Sequence, residues 1–282
     1  MAFTVPDYLS IPADQLGHDT NVAVRVVGDM DALACDMAES IVEMIRGAAE
    51  DGRAATIIIP VGPVDQFPIL AEMINEHRLD CRDVMFINMD EYLDDHHRWI
   101  AEDHPLSFRG FMNRRFYDLI DPQRAPKKQN RLFPDPRSPE HIAQRIQQRG
   151  GVDACFGGIG INGHLAFNEP PESVKDHSTE AFGALPTRVL ELSRETRTIN
   201  SVTVGGDTRI IPRYAVTVGM QEILASRKLR FYCNRPWQSA VVRRALHGPV
   251  TSAFPASLLR THSDAELAIA DYVAAPPQIG LR

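Results

Sequence analysis

Between residues 32 and 49 apolar side chains recur every third or fourth position, at Leu33, Met37, Ile41, Met44, Ile45 and Ala48. That spacing predicts one face of an amphipathic helix, and Gly52 just beyond it supplies a stop. The pattern then changes: Thr56 to Ile59 is a short apolar run, as expected for a buried strand. Pro68 to His77 predicts a helix with proline near its first turn, Val84 to Met89 a strand, and Pro105 to Ile120 a longer helix. Ser138-Pro139-Glu140 is a helix-start signal for His141 to Gln148, and Asp153 to Phe156 reads as a strand running into glycines. Leu229 to Cys233 predicts a strand and Gln238 to Leu246 a helix ending before Gly248-Pro249, whereas Leu267 to Val273 fits either element. Strands separated by helices predict an α/β fold, a single domain with a mostly parallel sheet and helices on both faces. Residues 1–30 read as an N-terminal extension, Asp121 to Pro139 as a surface connection, and residues 274–282, with Pro276-Pro277, as a tail.

Composition narrows the function classes. A chain of 282 residues that is 44% hydrophobic can bury one generous core. With 24% charged residues and a formal net charge of -7, it lacks the basic balance of a general nucleic-acid binder, so an acidic substrate would need local positive charge. No apolar stretch approaches the roughly 20 residues that cross a bilayer, and the start of the chain has no basic patch followed by an apolar run. Cys35, Cys81, Cys155 and Cys233 form no Cys-x-x-Cys pair, so neither a disulfide framework nor a zinc knuckle is indicated. A cytoplasmic protein with no membrane or nucleic-acid partner is the expectation.

Open parallel sheets bind ligands beyond the carboxyl ends of their strands, which singles out Pro60 to Asp65, Asn88 to Tyr92 and Gly157 to Glu169. The last of these brings a glycine-rich backbone and then an imidazole, His164. Gly158, Gly160 and Gly163 match G-x-G-x-x-G, but a dinucleotide site needs a helix next, and Asn168-Glu169-Pro170-Pro171 follows instead. The plain alternative is a glycine-rich turn with a surface histidine. Against it stand Asn162 and Glu169, an amide and a carboxylate able to orient the ring and fix its proton. Asp90 and Glu91 end a predicted strand, where alternation would aim one carboxylate at a pocket and leave the other structural. For Asp90 the alternative is a loop or helix cap. His96, His97 and His104 lack a spaced carboxylate partner, so no metal site is expected. In the first place, Gly62 lies where backbone amides could hold an anion at a helix start, yet Pro63 removes a donor and Asp65 adds negative charge.

Taken together, these segments resemble the glucosamine-6-phosphate deaminase family, whose wider group includes the 6-phosphogluconolactonases. The resemblance runs from about Asp31 to Val273. It rests on Phe86-Ile87-Asn88-Met89-Asp90-Glu91-Tyr92, on His104-Pro105-Leu106-Ser107-Phe108 with Phe111-Met112, on Gly160 to Pro170, and on Pro212-Arg213-Tyr214-Ala215-Val216-Thr217-Val218-Gly219. Gly163-His164-Leu165-Ala166-Phe167-Asn168-Glu169-Pro170 is similar to the deaminase branch, since the lactonases end this stretch differently. The resemblance implies a modified Rossmann-like fold, no metal or organic cofactor, and a small sugar substrate. It further implies His164 as the ring-opening proton shuttle, Glu169 and Asn162 as its supports, and Asp90 as the base that moves a proton from C2 to C1. Gly62, Gly163 and Arg235 are the candidate substrate contacts. Many members have aspartate at the position of Asn162.

The departures lie at the far end of the substrate. The family's phosphate loop has the form Thr-Gly-Gly-Thr-Pro, where this chain has Val61-Gly62-Pro63-Val64-Asp65. Two cations of the family's phosphate site align with Val202 and Gln238, with Arg235 and Trp237 close by. The expected activity is therefore that of an aldose-ketose isomerase/deaminase, releasing ammonia from an amino sugar whose far end need not be a phosphate. A sugar lactone hydrolase and a non-catalytic sugar-sensing domain are the competing readings. Relatives occur as monomers and as assemblies, so a homo-oligomer stays open. Leu93 to Asp103, longer than its counterpart, is either a lid or a surface insertion.

Overall fold

In the computed structural model, residues 4–62, 65–173 and 178–280 are described. Their strands are β1 (Val22–Val26), β2 (Thr56–Ile59), β3 (Met85–Asn88), β4 (Asp90–Leu93), β5 (Arg131–Leu132), β6 (Ala154–Gly157), β7 (Arg188–Glu191), β8 (Tyr214–Thr217), β9 (Leu229–Cys233) and β10 (Ala265–Ile269). The helices are α1 (Met30–Glu50), α2 (Gln66–Glu76), α3 (Phe108–Arg115), α4 (His141–Gln148), α5 (Thr179–Gly183), α6 (Arg194–Ser201), α7 (Met220–Leu224), α8 (Gln238–His247) and α9 (Asp271–Ala274). Among the described residues, seven strands form one parallel sheet in the order β1-β10-β9-β6-β2-β3-β5, and β4-β8-β7 form a separate antiparallel sheet.

The parallel sheet is a two-sided object, as its sequence pattern predicts. Ile57 and Ile59 of β2, Phe86 of β3 and Phe156 of β6 face one core, shared with Leu33, Met37, Ile41 and Ile45 of α1. Their neighbours Ile58, Ile87 and Cys155 face the other, with Val242 and Leu246 of α8. The period of two along each strand feeds both cores at once. The Asp29 side chain caps α1 by accepting from Ala32 N at 2.9 Å.

Several elements differ from the sequence pattern. Within the segment expected as an N-terminal extension, β1 forms the edge of the parallel sheet beside β10. Its Arg25 makes two bonds to Asp36 of α1, at 2.7 and 2.8 Å. The helix expected over Pro105 to Ile120 is shorter: Ser107 caps α3 through Gly110 N, and the chain leaves helical geometry at Phe116 before a 3-10 turn at Tyr117–Leu119. Leu267 to Val273 is both elements in succession, the end of β10 and then α9. The strand expected to end at Met89 instead changes sheets there. Met89 N donates to Ile59 O, while Met89 O accepts from Val218 N, so this one residue joins the parallel sheet to the antiparallel one. No helix among the described residues is long and apolar enough to cross a membrane.

Candidate active site

The order of the parallel sheet reverses between β2 and β6, and a crevice opens beyond the carboxyl ends of both strands. There lies a cavity of about 570 Å³. Pro60, Val61 and Gly62 after β2, Gly158 to Gly160 after β6, and Asn234 and Arg235 after β9 form its floor. Asp90 and Tyr92 of β4, Phe108 and Phe111 of α3, and Ile199 and Asn200 of α6 wall it.

Asp90 and Glu91 divide as alternation requires. Glu91 is wholly buried and accepts from Ser107 Oγ, Phe108 N and Arg109 N at 2.9 to 3.0 Å, and from Arg109 Nε at 3.1 Å. It thereby holds the N-terminus of α3, where a negative charge is favoured. Asp90 lines the cavity, and among the described residues its carboxyl has no hydrogen-bond partner. Burial first, and then the charge of Glu91, push its pKa up to about 8.

His164 enters the same cavity from a tightly specified loop. Gly160 N donates to His164 O at 3.0 Å, and a side chain at Gly160 would put its Cβ 2.1 Å from His164 Nε2. Glycine at 160 is therefore what lets the imidazole lie against the backbone. Gly163 has φ +85 and Phe254 packed where a Cβ would stand. Asn168 closes the loop by donating to Leu165 O and Val218 O at 2.9 Å and accepting from Arg188 Nη1 at 2.7 Å.

Behind the imidazole is a polar network. Asn162 Nδ2 donates to Glu169 Oε2 at 2.7 Å and faces Ser193 Oγ at 3.2 Å, which leaves Asn162 Oδ1 toward His164 Nδ1 at 2.8 Å. Because that oxygen can only accept, the network assigns the proton to Nδ1 and leaves Nε2 as an acceptor. Glu169 Oε2 is 3.6 Å from Nδ1. Burial opposes ionisation of Glu169, but the neighbouring His164 and the Asn162 amide outweigh it and bring the carboxyl down to about 2.

The structure thus brings Asp90, His164, Gly62 and Arg235 to one cavity, with Asn162 and Glu169 directly behind His164. Gly163 does not line the cavity; it shapes the loop. Pro63 and Val64 of the expected anion loop lie outside the described residues. Val202 is 67% exposed at the cavity wall, and Gln238 is occupied, donating to Ile159 O at 2.8 Å and accepting from Arg235 N at 2.7 Å. None of residues 93–103 lines the cavity; Trp99 Nε1 bonds Pro134 O, and Arg109 stacks on the Trp99 ring. His97 packs on Tyr214, and His104 Nδ1 accepts from Leu106 N. No three His, Cys, Asp or Glu side chains among the described residues are grouped to hold a metal.

The sequence pattern did not single out α6. Ser193 caps it, Thr196 Oγ1 lies 3.0 Å from His164 Nδ1, and Asn200 Nδ2 bonds Tyr92 OH at 2.9 Å. The usable signal was Ser193 itself, a cap followed by the acidic Glu195 in the first turn.

No family model matches the chain. Curated relatives do. The chain is 31% identical over 240 residues to a glucosamine-6-phosphate deaminase of Porphyromonas gingivalis, covering 83% of this chain and 86% of the relative. It is 28% identical over 248 residues to one of Phocaeicola vulgatus, covering 85% and 88%. Among solved structures, a monomeric glucosamine-6-phosphate deaminase superposes with a TM-score of 0.75 at 26% identity, covering 90% of this chain and 99% of that one. A 6-phosphogluconolactonase from Thermotoga maritima shares the fold, with a TM-score of 0.64 at 14% identity over 89% of this chain and all of that one. By these relatives the chain is an enzyme and belongs to the glucosamine-6-phosphate deaminase family.

Proposed function

We propose that this chain converts a 2-amino-2-deoxy aldose into the corresponding ketose with release of ammonia. The observation that carries this reading is the pairing, in one cavity, of an unpartnered carboxyl at Asp90 with a histidine whose tautomer leaves Nε2 free to accept. In the reading, His164 Nε2 takes the proton of the anomeric hydroxyl and delivers it to the ring oxygen, opening the sugar. Asp90 then removes the proton from C2 of the aldehyde and returns it at C1, leaving a ketimine at C2. Water adds there and ammonia departs, so aldose amine plus water gives ketose plus ammonia. A carboxyl with a pKa near 8 is a strong base once ionised, and the substrate's own ammonium at C2 would favour the ionised form.

The far end of the substrate is read differently. Arg235 is the one Lys or Arg among the described residues lining the cavity; Val202 offers no charge, and the Gln238 amide is already bonded. A phosphate dianion is ordinarily held by several charge-assisted bonds, each contributing about 1.5 to 3 kcal/mol. These features support an amino sugar whose far end need not be a phosphate.

The test is turnover of glucosamine in D2O, followed by NMR and ammonia release. The expected outcome is one equivalent of ammonia, with deuterium entering C1 of the ketose to the extent that the proton held on Asp90 exchanges with solvent before its return. Hydrolysis of sugar lactones without ammonia release from any 2-amino aldose would overturn the reading in favour of the lactonase chemistry.

A further inference from the structure

The network behind His164 contains one member that no role above requires. Thr196, on the first turn of α6, is fully buried, and its hydroxyl stands 3.0 Å from His164 Nδ1. The Glu169 carboxylate is 3.6 Å from Nδ1, beyond good hydrogen-bond length. Nδ1 has one proton to give, and Asn162 Oδ1 is fixed as an acceptor because its Nδ2 is committed to Glu169. With Nδ1 carrying the proton, the Thr196 hydroxyl beside it offers a lone pair to the ring.

The geometry points to Thr196 as a positioning residue for His164: its hydroxyl is a second neutral acceptor for the Nδ1 proton, beside Asn162 Oδ1. With asparagine at 162, the ring has no charged atom in direct hydrogen-bond contact. The two neutral acceptors let it gain and lose a proton at Nε2 while Nδ1 keeps its own. The helix enforces the arrangement. Ser193 Oγ accepts from Thr196 N at 3.2 Å, and Ser193 N donates to Glu169 Oε1 at 3.3 Å, so the start of α6 holds both the carboxylate and the Thr196 hydroxyl. Among the described residues, the groups with charge around the ring are Glu169 on its own loop, Asp90 from β4 and Arg235 beyond β9; α6 and its cap contribute the hydroxyls of Thr196 and Ser193.

The test compares Thr196→Val, Thr196→Ala and Thr196→Ser in the full chain. Removing the hydroxyl takes away an acceptor for the imidazolium, so the titration midpoint of His164, followed by 15N NMR on histidine-labelled protein, moves to lower pH by about one unit. That arm needs no substrate, so it stands or falls separately from the proposed reaction. The kinetic arm rests on the ring-opening reading: kcat falls about tenfold or more in Thr196→Val with KM changed less than twofold, and the acid limb of the pH profile moves with the titration. Thr196→Ser restores both. Thr196→Ala, smaller than threonine, keeps the test decisive if valine disturbs folding. An unmoved His164 titration in a folded variant lacking the hydroxyl, or a serine variant that fails to restore it, overturns the inference and leaves Thr196 as packing.

Discussion

The two ends of the cavity are built on different plans. At the His164 end the supports are bonded and the reacting atoms left free: Asn162 joins Glu169, Ser193 and the ring, Thr196 meets the ring, and Glu91 is held by four donors around α3, while Asp90 and Nε2 face the cavity. At the other end Val202 is exposed, Trp237 is apolar, Gln238 is spent on backbone groups, and among the described residues the Arg235 guanidinium meets only the Met30 sulfur, at 3.9 Å. Proton transfer requires groups fixed to a fraction of an ångström, so its supports cannot change without loss. The grip on a remote substituent changes affinity and selectivity while leaving the reacting atoms in place. Within one cavity, the reaction and the choice of substrate can therefore diverge independently.

The largest expected effect strikes the reacting end. Asp90→Asn should lower kcat by about 10³-fold or more and abolish exchange of the C2 proton with solvent, as NMR of the recovered sugar would show. The same variant carries a stability signature. Asp90 is raised from the carboxylate range to about 8, so the folded state holds more protons than the unfolded one across that interval, and the wild type loses stability as pH climbs through it. Denaturant unfolding at pH 5 and pH 8.5 should show the gap between Asp90→Asn and wild type widening in the variant's favour by on the order of 3 kcal/mol. A flat difference would remove the buried, unpartnered carboxyl from the account.

Gly160→Ala comes next. Its Cβ would stand 2.1 Å from Nε2, the ring must move, and kcat should fall about 10²-fold with little change in thermal stability. Full activity in that variant would mean that the position of His164 is not what the reaction depends on. Glu169→Gln sharpens the same end by its pH dependence. Because Glu169 is lowered to about 2, its contribution is present above the ordinary carboxylate range and is lost as pH falls toward 2. The variant should therefore be less stable than wild type at pH 7 by on the order of 2 kcal/mol, with the difference closing near pH 2 in acid unfolding.

The distal end is probed most gently by adding what it lacks. Val202 is exposed at the cavity wall, so Val202→Arg should fold normally and lower KM for glucosamine 6-phosphate by about tenfold while leaving glucosamine unchanged. Equal effects on both sugars would show that position 202 does not face the far end of the substrate.

Much of this was legible in the chain itself. The glycines around His164, the paired carboxylates at 90 and 91, and the short apolar runs of β2, β6 and β9 each stand for a physical requirement that a single sequence displays. The parts that escaped share a cause as well. Helix α6, Arg-Glu-Thr-Arg-Thr-Ile-Asn-Ser, buries Thr196 and Ser201 in place of an apolar stripe, so a search for hydrophobic periodicity passes over it. β1 is an edge strand that carries Arg25, tied down by Asp36 and Glu266 from elsewhere in the chain. The change of sheet at Met89 depends on bonds to Ile59 and Val218, residues far away in sequence. Local pattern reports what a segment buries in apolar surface; it is silent about hydroxyls recruited to a site and about partners brought in by topology.

The contrast between the two ends is tested most directly by one ratio: kcat/KM for glucosamine 6-phosphate over kcat/KM for glucosamine, both followed by ammonia release from the wild-type protein. Turnover of the unphosphorylated sugar is expected, with a ratio within about tenfold of unity, since among the described residues the far end of the cavity presents one guanidinium and no set of phosphate ligands. A preference of about 10³-fold or more for the phosphorylated sugar would contradict it and return a phosphate site to this cavity.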